Sequence, residues 1–162
     1  MTKTIQANIF FGNESKTNDT IIVGENISNP ENIGAFLRLA GNFGVEKVYI
    51  ICDELPNQRK IMRTASTAKN IVKLIQSDIS ILETLASEGY DIVAVETGEN
   101  AINIRDFEFS RKTVLLLGNE SYGLSEDALK YSSAMIFIPM FGAVKSMNVS
   151  QALTIALYEC VL

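Results

Sequence analysis

The sequence predicts an α/β domain with a mostly parallel sheet flanked by helices, on three observations. Five short runs are rich in β-branched residues and almost continuously apolar, as in strands covered on both faces. Helical patterns separate these runs, and an alternation of strand and helix favours parallel pairing. The 162 residues, 47% of them hydrophobic, can bury the core of one domain over residues 1–162.

Each element can be placed along the chain from its apolar pattern. The predicted strands are Thr20–Gly24, Lys47–Ile51, Ile92–Val95, Thr113–Leu117 and Met135–Ile138, with a further opening strand near Ile5–Phe11. The predicted helices, from apolar residues at helical spacing, are Pro30–Phe43, Arg59–Ala65, Ile79–Glu88, Glu126–Tyr131 and Val149–Val161. Open parallel sheets bind ligands beyond the carboxyl ends of their strands, so we expect the site in the loops after Val95, Leu117 and Ile138.

The composition excludes several kinds of chemistry. The chain has no histidine, which removes Ser-His and Cys-His dyads and the commonest metal ligand. Cys52 and Cys160 lack metal or CxxC spacing, so we expect no metal and a reducing compartment. The amino terminus shows no signal peptide, and no apolar run reaches the length of a membrane span. These features predict a cytoplasmic protein that does not associate with a membrane.

The charge is unevenly distributed. A net charge of −5 argues against a general nucleic-acid binder. Between Arg59 and Lys73, however, the chain carries five basic residues and no acidic one. This basic segment is either a solvated helix face or a patch that holds a few phosphates.

The first loop of interest runs from Ser28 into the first helix. Asn29 can cap that helix, and Pro30 suits its first turn. Gly34 and Arg38 are four residues apart, so they share one helix face, which we place opposite the apolar stripe. Either Gly34 leaves room for a ligand beside Arg38, or a surface arginine follows a packing glycine.

The second loop follows the predicted strand that ends at Leu117. Gly118 and Gly123 have the spacing of a phosphate-binding loop, but Leu124 follows where that motif needs lysine, which excludes a P-loop. A GxGxxG dinucleotide motif is also absent from the sequence. Glu120 is either a turn residue or a carboxylate of the site.

The third loop lies between Ile138 and the last helix. Asn148 and Gln151 are spaced as in a capping box, with Asn in place of Ser or Thr. A cap explains Asn148 but leaves Lys145 and Ser146 without a structural reason. These residues therefore mark a candidate binding loop.

Taken in order, the three loops resemble the three motifs of the SpoU (TrmH) family, within the SPOUT superfamily of RNA methyltransferases. The matching residues are Asn32-x-Gly34-x3-Arg38, then Leu117-Gly118-Asn119-Glu120-x-x-Gly123-Leu124, then Ile138-Pro139-Met140 with Ser146-Met147-Asn148-Val149-Ser150. The resemblance spans Ile21 to the carboxyl terminus.

The resemblance implies a deep trefoil knot over about residues 113–162, with S-adenosylmethionine bound in it and S-adenosylhomocysteine as the product. It also implies a homodimer whose site is completed near the dimer interface. The cofactor residues implied are Glu96, Thr97, Leu117, Gly118, Ile138, Ser146 and Met147.

The reaction implied is methyl transfer to a ribose 2′-hydroxyl of structured RNA, with tRNA as the first expectation and rRNA as the second. The family points to Arg38 as the base-like residue. Because a guanidinium stays protonated, our hypothesis is that Arg38 holds the target phosphate and stabilises the developing oxyanion. Asn32 and Asn148 would hold Arg38 and the ribose, and Glu120 would orient donors in its loop.

RNA contacts are expected from Arg38 together with Arg63 and Lys69 of the basic segment. Two alternatives stay open from the sequence. One is a family member that binds cofactor and RNA without catalysis. The other is an unrelated α/β nucleotide-binding module whose three motifs are coincidental turns.

Overall fold

The computed structural model describes residue 4 and residues 18–161. The strands are β1 (Asp19–Glu25), β2 (Lys47–Ile51), β3 (Lys73–Ser77), β4 (Asp91–Val95), β5 (Ile102–Asn103), β6 (Lys112–Leu117) and β7 (Ala134–Phe137). The α-helices are α1 (Pro30–Asn42), α2 (Gln58–Ala65), α3 (Ser80–Ser87), α4 (Glu126–Leu129) and α5 (Val149–Val161). Two 3₁₀ helices cover Ser66–Asn70 and Ile104–Asp106. None of the helices in these described ranges is long and apolar enough to cross a bilayer.

The seven described strands form one sheet in the order β3-β2-β1-β6-β4-β7-β5, and every strand pair is parallel. Because the strands are parallel, their carboxyl ends lie at one edge of the sheet. The neighbours β1, β6, β4 and β7 therefore bring four loops together at that edge. This order places the loops of the three sequence motifs side by side.

Both faces of the sheet are covered, as the apolar strands predict. Alternate residues of β6 point to opposite faces, so Leu115 and Leu117 belong to one core and Val114 and Leu116 to the other. The first core packs against α1, α2 and α5, and the second against α3 and α4. The expected α/β class, a parallel sheet flanked by helices, is confirmed.

The predicted elements agree with the structure to within a few residues at their ends. Two strands were missed. In β3 only Leu74 and Ile75 are apolar among partly buried residues, and β5 has only two residues, so neither gives a strand pattern. The expected opening strand near Ile5–Phe11 lies outside the described residues.

Helix α1 packs closely on α2 at Gly34, so of the two interpretations left open by the sequence the packing glycine is the one present. A Cβ at Gly34 would lie 2.5 Å from Cβ of Thr64 and 2.7 Å from the carbonyl oxygen of Ile61. The helix α2, rather than a ligand, is therefore what approaches Gly34. Arg38 follows one turn later and is exposed.

Candidate active site

A cleft of about 860 Å³ lies at the carboxyl edge of the sheet. Its walls come from the loops after β4, β6 and β7 and from the start of α5. Apolar side chains from Leu117, Met135, Ile138, Val149 and Ala152 line part of it, and the polar turns line the rest. The volume falls within the range of roughly 300–1,000 Å³ found for small-molecule sites.

Glu120 is the most heavily bonded carboxylate at this edge. It accepts hydrogen bonds from the backbone N–H groups of Ser28 (3.1 Å) and Asn29 (3.2 Å), the Ser28 hydroxyl (2.9 Å) and the Asn32 amide (2.8 Å). Partial burial raises the pKa of Glu120, but these donors outweigh burial, so the pKa lies below its ordinary value. Glu120 is thus held as an anion that ties the β6 loop to the start of α1.

Asn32 extends this network to the third motif. Its amide donates to Glu120, and its Oδ1 accepts a hydrogen bond of 3.1 Å from the Asn148 amide. One chain of hydrogen bonds, Glu120–Asn32–Asn148, therefore joins the three sequence motifs. Within one chain, Asn32 and Asn148 bond to each other and Asn32 bonds to Glu120, so neither holds the Arg38 of its own chain.

Asn148 also begins α5. Its Oδ1 accepts hydrogen bonds from the N–H (2.9 Å) and hydroxyl (2.6 Å) of Ser150. The cap expected from the sequence is present, but it acts through Ser150. The reciprocal bond from Gln151 that a capping box requires is not among the hydrogen bonds of residues 18–161.

The turn that follows β6 is closed by its own backbone. Asn119 and Gly123 exchange two backbone hydrogen bonds of 3.1 and 2.9 Å. The Asn119 side chain accepts from the N–H groups of Ser121 and Tyr122 and donates to the Asn26 carbonyl. Gly118 lies directly beneath the returning chain, since a Cβ there would come within 2.3 Å of the Gly123 carbonyl carbon.

Glu96, at the end of β4, presents its carboxylate to this turn. The carboxylate accepts from the N–H of Thr97 (2.9 Å) and, more weakly, of Leu124 (3.3 Å). A Cβ at Gly123 would lie 2.5 Å from the same carboxylate, and Gly123 has a positive φ of 69°. Glycine is therefore favoured at position 123 by its conformation, whereas the Glu96 carboxylate is the end of a flexible side chain and could shift.

The predicted site residues fall into two groups. Those lining the cleft are Glu96, Thr97, Leu117, Gly118, Glu120, Ile138, Ser146, Met147 and Asn148, with Asn32 joined to them by hydrogen bonds. Arg38, Arg63 and Lys69 do not line it. Arg38 is six residues beyond Asn32, about 9 Å further along α1, and is exposed without a hydrogen bond or ion pair to any described residue.

Sequence reasoning missed the contacts made by the loop after β1. Ser28 and Asn29 donate to Glu120, while the buried Glu25 accepts from the N–H (2.8 Å) and hydroxyl of Ser125. These contacts depend on β1 lying beside β6. The signal available was the polar stretch Ser28–Asn29, which was interpreted only as a helix cap.

A metal centre is not evident in the described part of the chain. No three His, Cys, Asp or Glu side chains gather there as a metal would require.

We predict that Glu120→Gln weakens both the site and the fold. A carboxylate only accepts, whereas the glutamine amide would direct N–H groups at donors that already point inward. We expect a loss of about 1 kcal/mol in unfolding free energy at pH 7, kept small because the group is partly exposed to water. Urea unfolding measures this, with Glu108→Gln, an exposed glutamate without a bonded partner in residues 18–161, as the control.

The stabilities of the wild type and Glu120→Gln should depend differently on pH. Since the pKa of Glu120 is lowered on folding, its stabilisation is fully present above the unfolded pKa, about 4.3, and is lost as pH falls through the folded pKa. The gap between the wild type and Glu120→Gln should therefore shrink below about pH 4. A gap that stays constant down to pH 2 would contradict the proposed bonding of Glu120.

The motifs and the fold identify the class of protein. The chain belongs to the SpoU rRNA Methylase family, whose model matches residues 19–158. The alternative of an unrelated nucleotide-binding module is therefore wrong.

Particular relatives are similar over most of this chain. It is 31% identical over 145 residues to the tRNA (guanosine(18)-2′-O)-methyltransferase of Escherichia coli (strain K12), covering 87% of this chain and 62% of that protein. The crystal structure of the A. aeolicus TrmH/SpoU tRNA modifying enzyme matches with a TM-score of 0.80 and 28% identity, covering 90% of this chain and 76% of that one. A structure that concerns the 2-OH methylation of C/U34 on tRNA also matches, with a TM-score of 0.77 and 28% identity. The match covers 87% of this chain and 93% of that one.

Proposed function

We propose that this protein transfers a methyl group from S-adenosylmethionine to a ribose 2′-hydroxyl of structured RNA, with tRNA as the first candidate substrate and rRNA as the second. One observation carries the proposal. The Glu120–Asn32–Asn148 hydrogen bonds join the three family motifs beside a cleft of suitable size. Such a network serves to hold polar groups in fixed directions, which methyl transfer needs more than it needs a strong base.

The similar proteins support an RNA substrate. All three are described with tRNA, and two of them with a nucleotide, guanosine 18 in one and C/U34 in the other, so tRNA is common to all while the nucleotide differs. The chain spans 62% of the E. coli relative but 93% of the protein associated with C/U34. An RNA substrate also agrees with the cytoplasmic location predicted from the sequence.

The cleft suits the proposed cofactor. Its apolar wall can receive a flat adenine, and the turns at Gly118 and Ser146–Asn148 offer backbone groups along its polar side. The Glu96 carboxylate adds negative charge beside the same cleft, which favours a cationic ligand. S-adenosylmethionine, when bound, supplies a methyl group already activated on a sulfonium.

The remaining task of the protein is to place the hydroxyl and stabilise its developing charge. Arg38 would hold the target phosphate and the oxyanion, and Asn148 would position the ribose. Glu120 would fix Asn32 and the start of α1 through its four hydrogen bonds. The reaction breaks the sulfur–methyl bond and forms an oxygen–methyl bond, while the hydroxyl proton leaves through a phosphate oxygen or water.

A homodimer would account for the position of Arg38. Since this arginine is exposed and does not line the cleft of its own chain, we propose that the site is completed where two copies meet. The proposal also includes a trefoil knot over about residues 113–162. Two features support a knot. Strand β6 comes late in the sequence yet lies between β1 and β4 in the sheet, and the last helix, α5, packs against the first, α1.

The basic segment would contact RNA phosphates through Arg63 and Lys69. Both side chains are exposed. The segment packs closely on α1, the helix that carries Arg38, because Gly34 and Gly41 leave no side chain between them. Of its five cations, Lys60 alone forms an ion pair within residues 18–161, with Glu31 at 3.4 Å. The other four are available to phosphates.

We predict that Lys69→Glu weakens RNA binding and lowers the slope of log affinity against log salt by about one unit. Filter binding at several salt concentrations measures the slope. Lys112→Glu makes the same charge change at the amino end of β6, three strands away from β3 in the sheet, and should leave it unchanged. Equal slopes for Lys69→Glu and the wild type would contradict the RNA contact and indicate that the segment is a solvated helix face.

Calorimetric titration with S-adenosylmethionine and S-adenosylhomocysteine tests the cofactor site. We expect micromolar binding, about −8 kcal/mol. If neither ligand binds at millimolar concentration, the titration is repeated with total RNA present. Failure in both conditions would contradict the proposed cofactor.

A further inference from the structure

Tyr122 stands exposed at the mouth of the cleft. Its side chain is 91% exposed, although it lines the same cleft as Gly118 and Ser146. Its hydroxyl makes no hydrogen bond to any residue in 18–161. Because the ring lines the cleft and packs against no other side chain, its faces are free to contact a ligand that enters the cleft.

The backbone beneath this ring is firmly held. The turn from Asn119 to Gly123 is closed by two backbone hydrogen bonds, and the Asn119 side chain accepts the N–H of Tyr122 at 3.1 Å. The same asparagine is anchored to the Asn26 carbonyl at 2.7 Å. A ring carried on such a turn loses little backbone freedom when a ligand arrives, so its position is set before binding.

The occupant must offer a flat face next to the reacting ribose. Tyr122 is two residues beyond Glu120, whose network reaches Asn148 on the other side of the cleft. A ribose 2′-hydroxyl brought into the cleft would place its own base at the mouth. Unstacked bases of RNA are typically held on aromatic side chains, which replace the stacking they lose.

We propose that Tyr122 is the platform on which the base of the target nucleotide stacks. This inference rests on the proposed function and adds the residue that holds the base. Stacking tolerates any base, so the ring would position the nucleotide without selecting its identity. The hydroxyl is not required, because it has no partner within the described residues.

The proposal is tested by comparing substitutions that keep a flat aromatic ring with one that keeps only apolar surface. Tyr122→Leu should lower kcat/KM for RNA by about tenfold or more. Tyr122→Phe and Tyr122→Trp should stay within about threefold of the wild type, since both keep a stacking face. Affinity for S-adenosylmethionine should be unchanged in all three, because the ring lies at the mouth of the cleft.

A direct signal of stacking is available because the chain contains no tryptophan. In Tyr122→Trp the new indole would be the sole one, and stacking on a base should quench its fluorescence when tRNA binds. Tyr90→Trp, at the amino edge of the sheet, is the control and should respond weakly.

Three results would overturn the proposal. These are full activity in Tyr122→Leu, no quenching of Tyr122→Trp by bound RNA, or a change of oligomeric state in Tyr122→Leu, which would make the ring a protein contact. Absence of methyl transfer by the wild type would overturn the proposed function instead, and the quenching measurement would still decide the stacking.

Discussion

Arg38→Ala is expected to abolish methyl transfer while leaving affinity for S-adenosylmethionine within a few fold. Arg38 is exposed, does not line the cleft and bonds to no residue in 18–161, so its removal should disturb neither fold nor cofactor. In the proposed role it meets charge that develops only during the reaction. Removing one group of this kind costs about 100- to 1,000-fold in rate.

Matched variants separate this role from a general loss of positive charge. Arg111→Ala makes the same change at the amino end of β6, on the far edge of the sheet, and should keep normal activity. Arg38→Lys keeps the charge but loses the planar fork and should also be impaired. Near-normal turnover of Arg38→Ala would make the catalytic assignment wrong.

Mixed dimers test whether Arg38 acts across two copies. Ala152→Phe should block the cleft, because Ala152 lines it. Co-expression of Arg38→Ala with Ala152→Phe would form dimers with one intact site, made from the open cleft of one copy and Arg38 of the other. Activity should then reappear, whereas a mixture that stays inactive would contradict a shared site.

Gly118→Ala is expected to have the largest effect on stability. The added Cβ would lie 2.3 Å from the Gly123 carbonyl carbon and 2.4 Å from the Leu124 nitrogen. Both are backbone atoms of a turn closed by hydrogen bonds, so neither can move cheaply. We expect a loss of about 3 kcal/mol or more in unfolding free energy, the upper end of overpacking effects.

The same substitution should weaken S-adenosylmethionine binding at least about tenfold, since the displaced turn forms one wall of the cleft. Urea unfolding and calorimetry measure the two effects. Gly142→Ala is the matched control, because a Cβ there meets nothing within 4 Å. Equal stabilities of the two variants would contradict the close approach at Gly118.

The fold could be predicted because its central strands carry their own signal. The strand Lys47–Ile51 is predicted residue for residue, since the four residues after Lys47 are hydrophobic and the strand lies inside the sheet. The edge strand β3 was missed because only two of its residues are apolar. Interior strands can be recognised by their apolar composition. The formation of an edge strand depends on pairing with a neighbouring strand, which the sequence does not specify.

The site could be predicted in its parts but not in its connections. The motifs supplied Asn32, Glu120 and Asn148, and the structure adds the hydrogen bonds among them. The donors Ser28 and Asn29 were missed because β1 and β6 are distant in sequence and adjacent only in the folded sheet. The sequence could not decide whether Gly34 packs or faces a ligand, since nothing local shows that α2 packs there.

Labelling of RNA by the methyl donor tests methyl transfer to ribose. Wild-type protein is incubated with methyl-labelled S-adenosylmethionine and, separately, with unmodified tRNA and rRNA, and the RNA is digested to nucleosides. We expect label in a 2′-O-methylnucleoside from tRNA, absent with Arg38→Ala. Label on a base, or no label in either RNA although the cofactor binds, would contradict it, and the latter result would favour a protein that binds without catalysis.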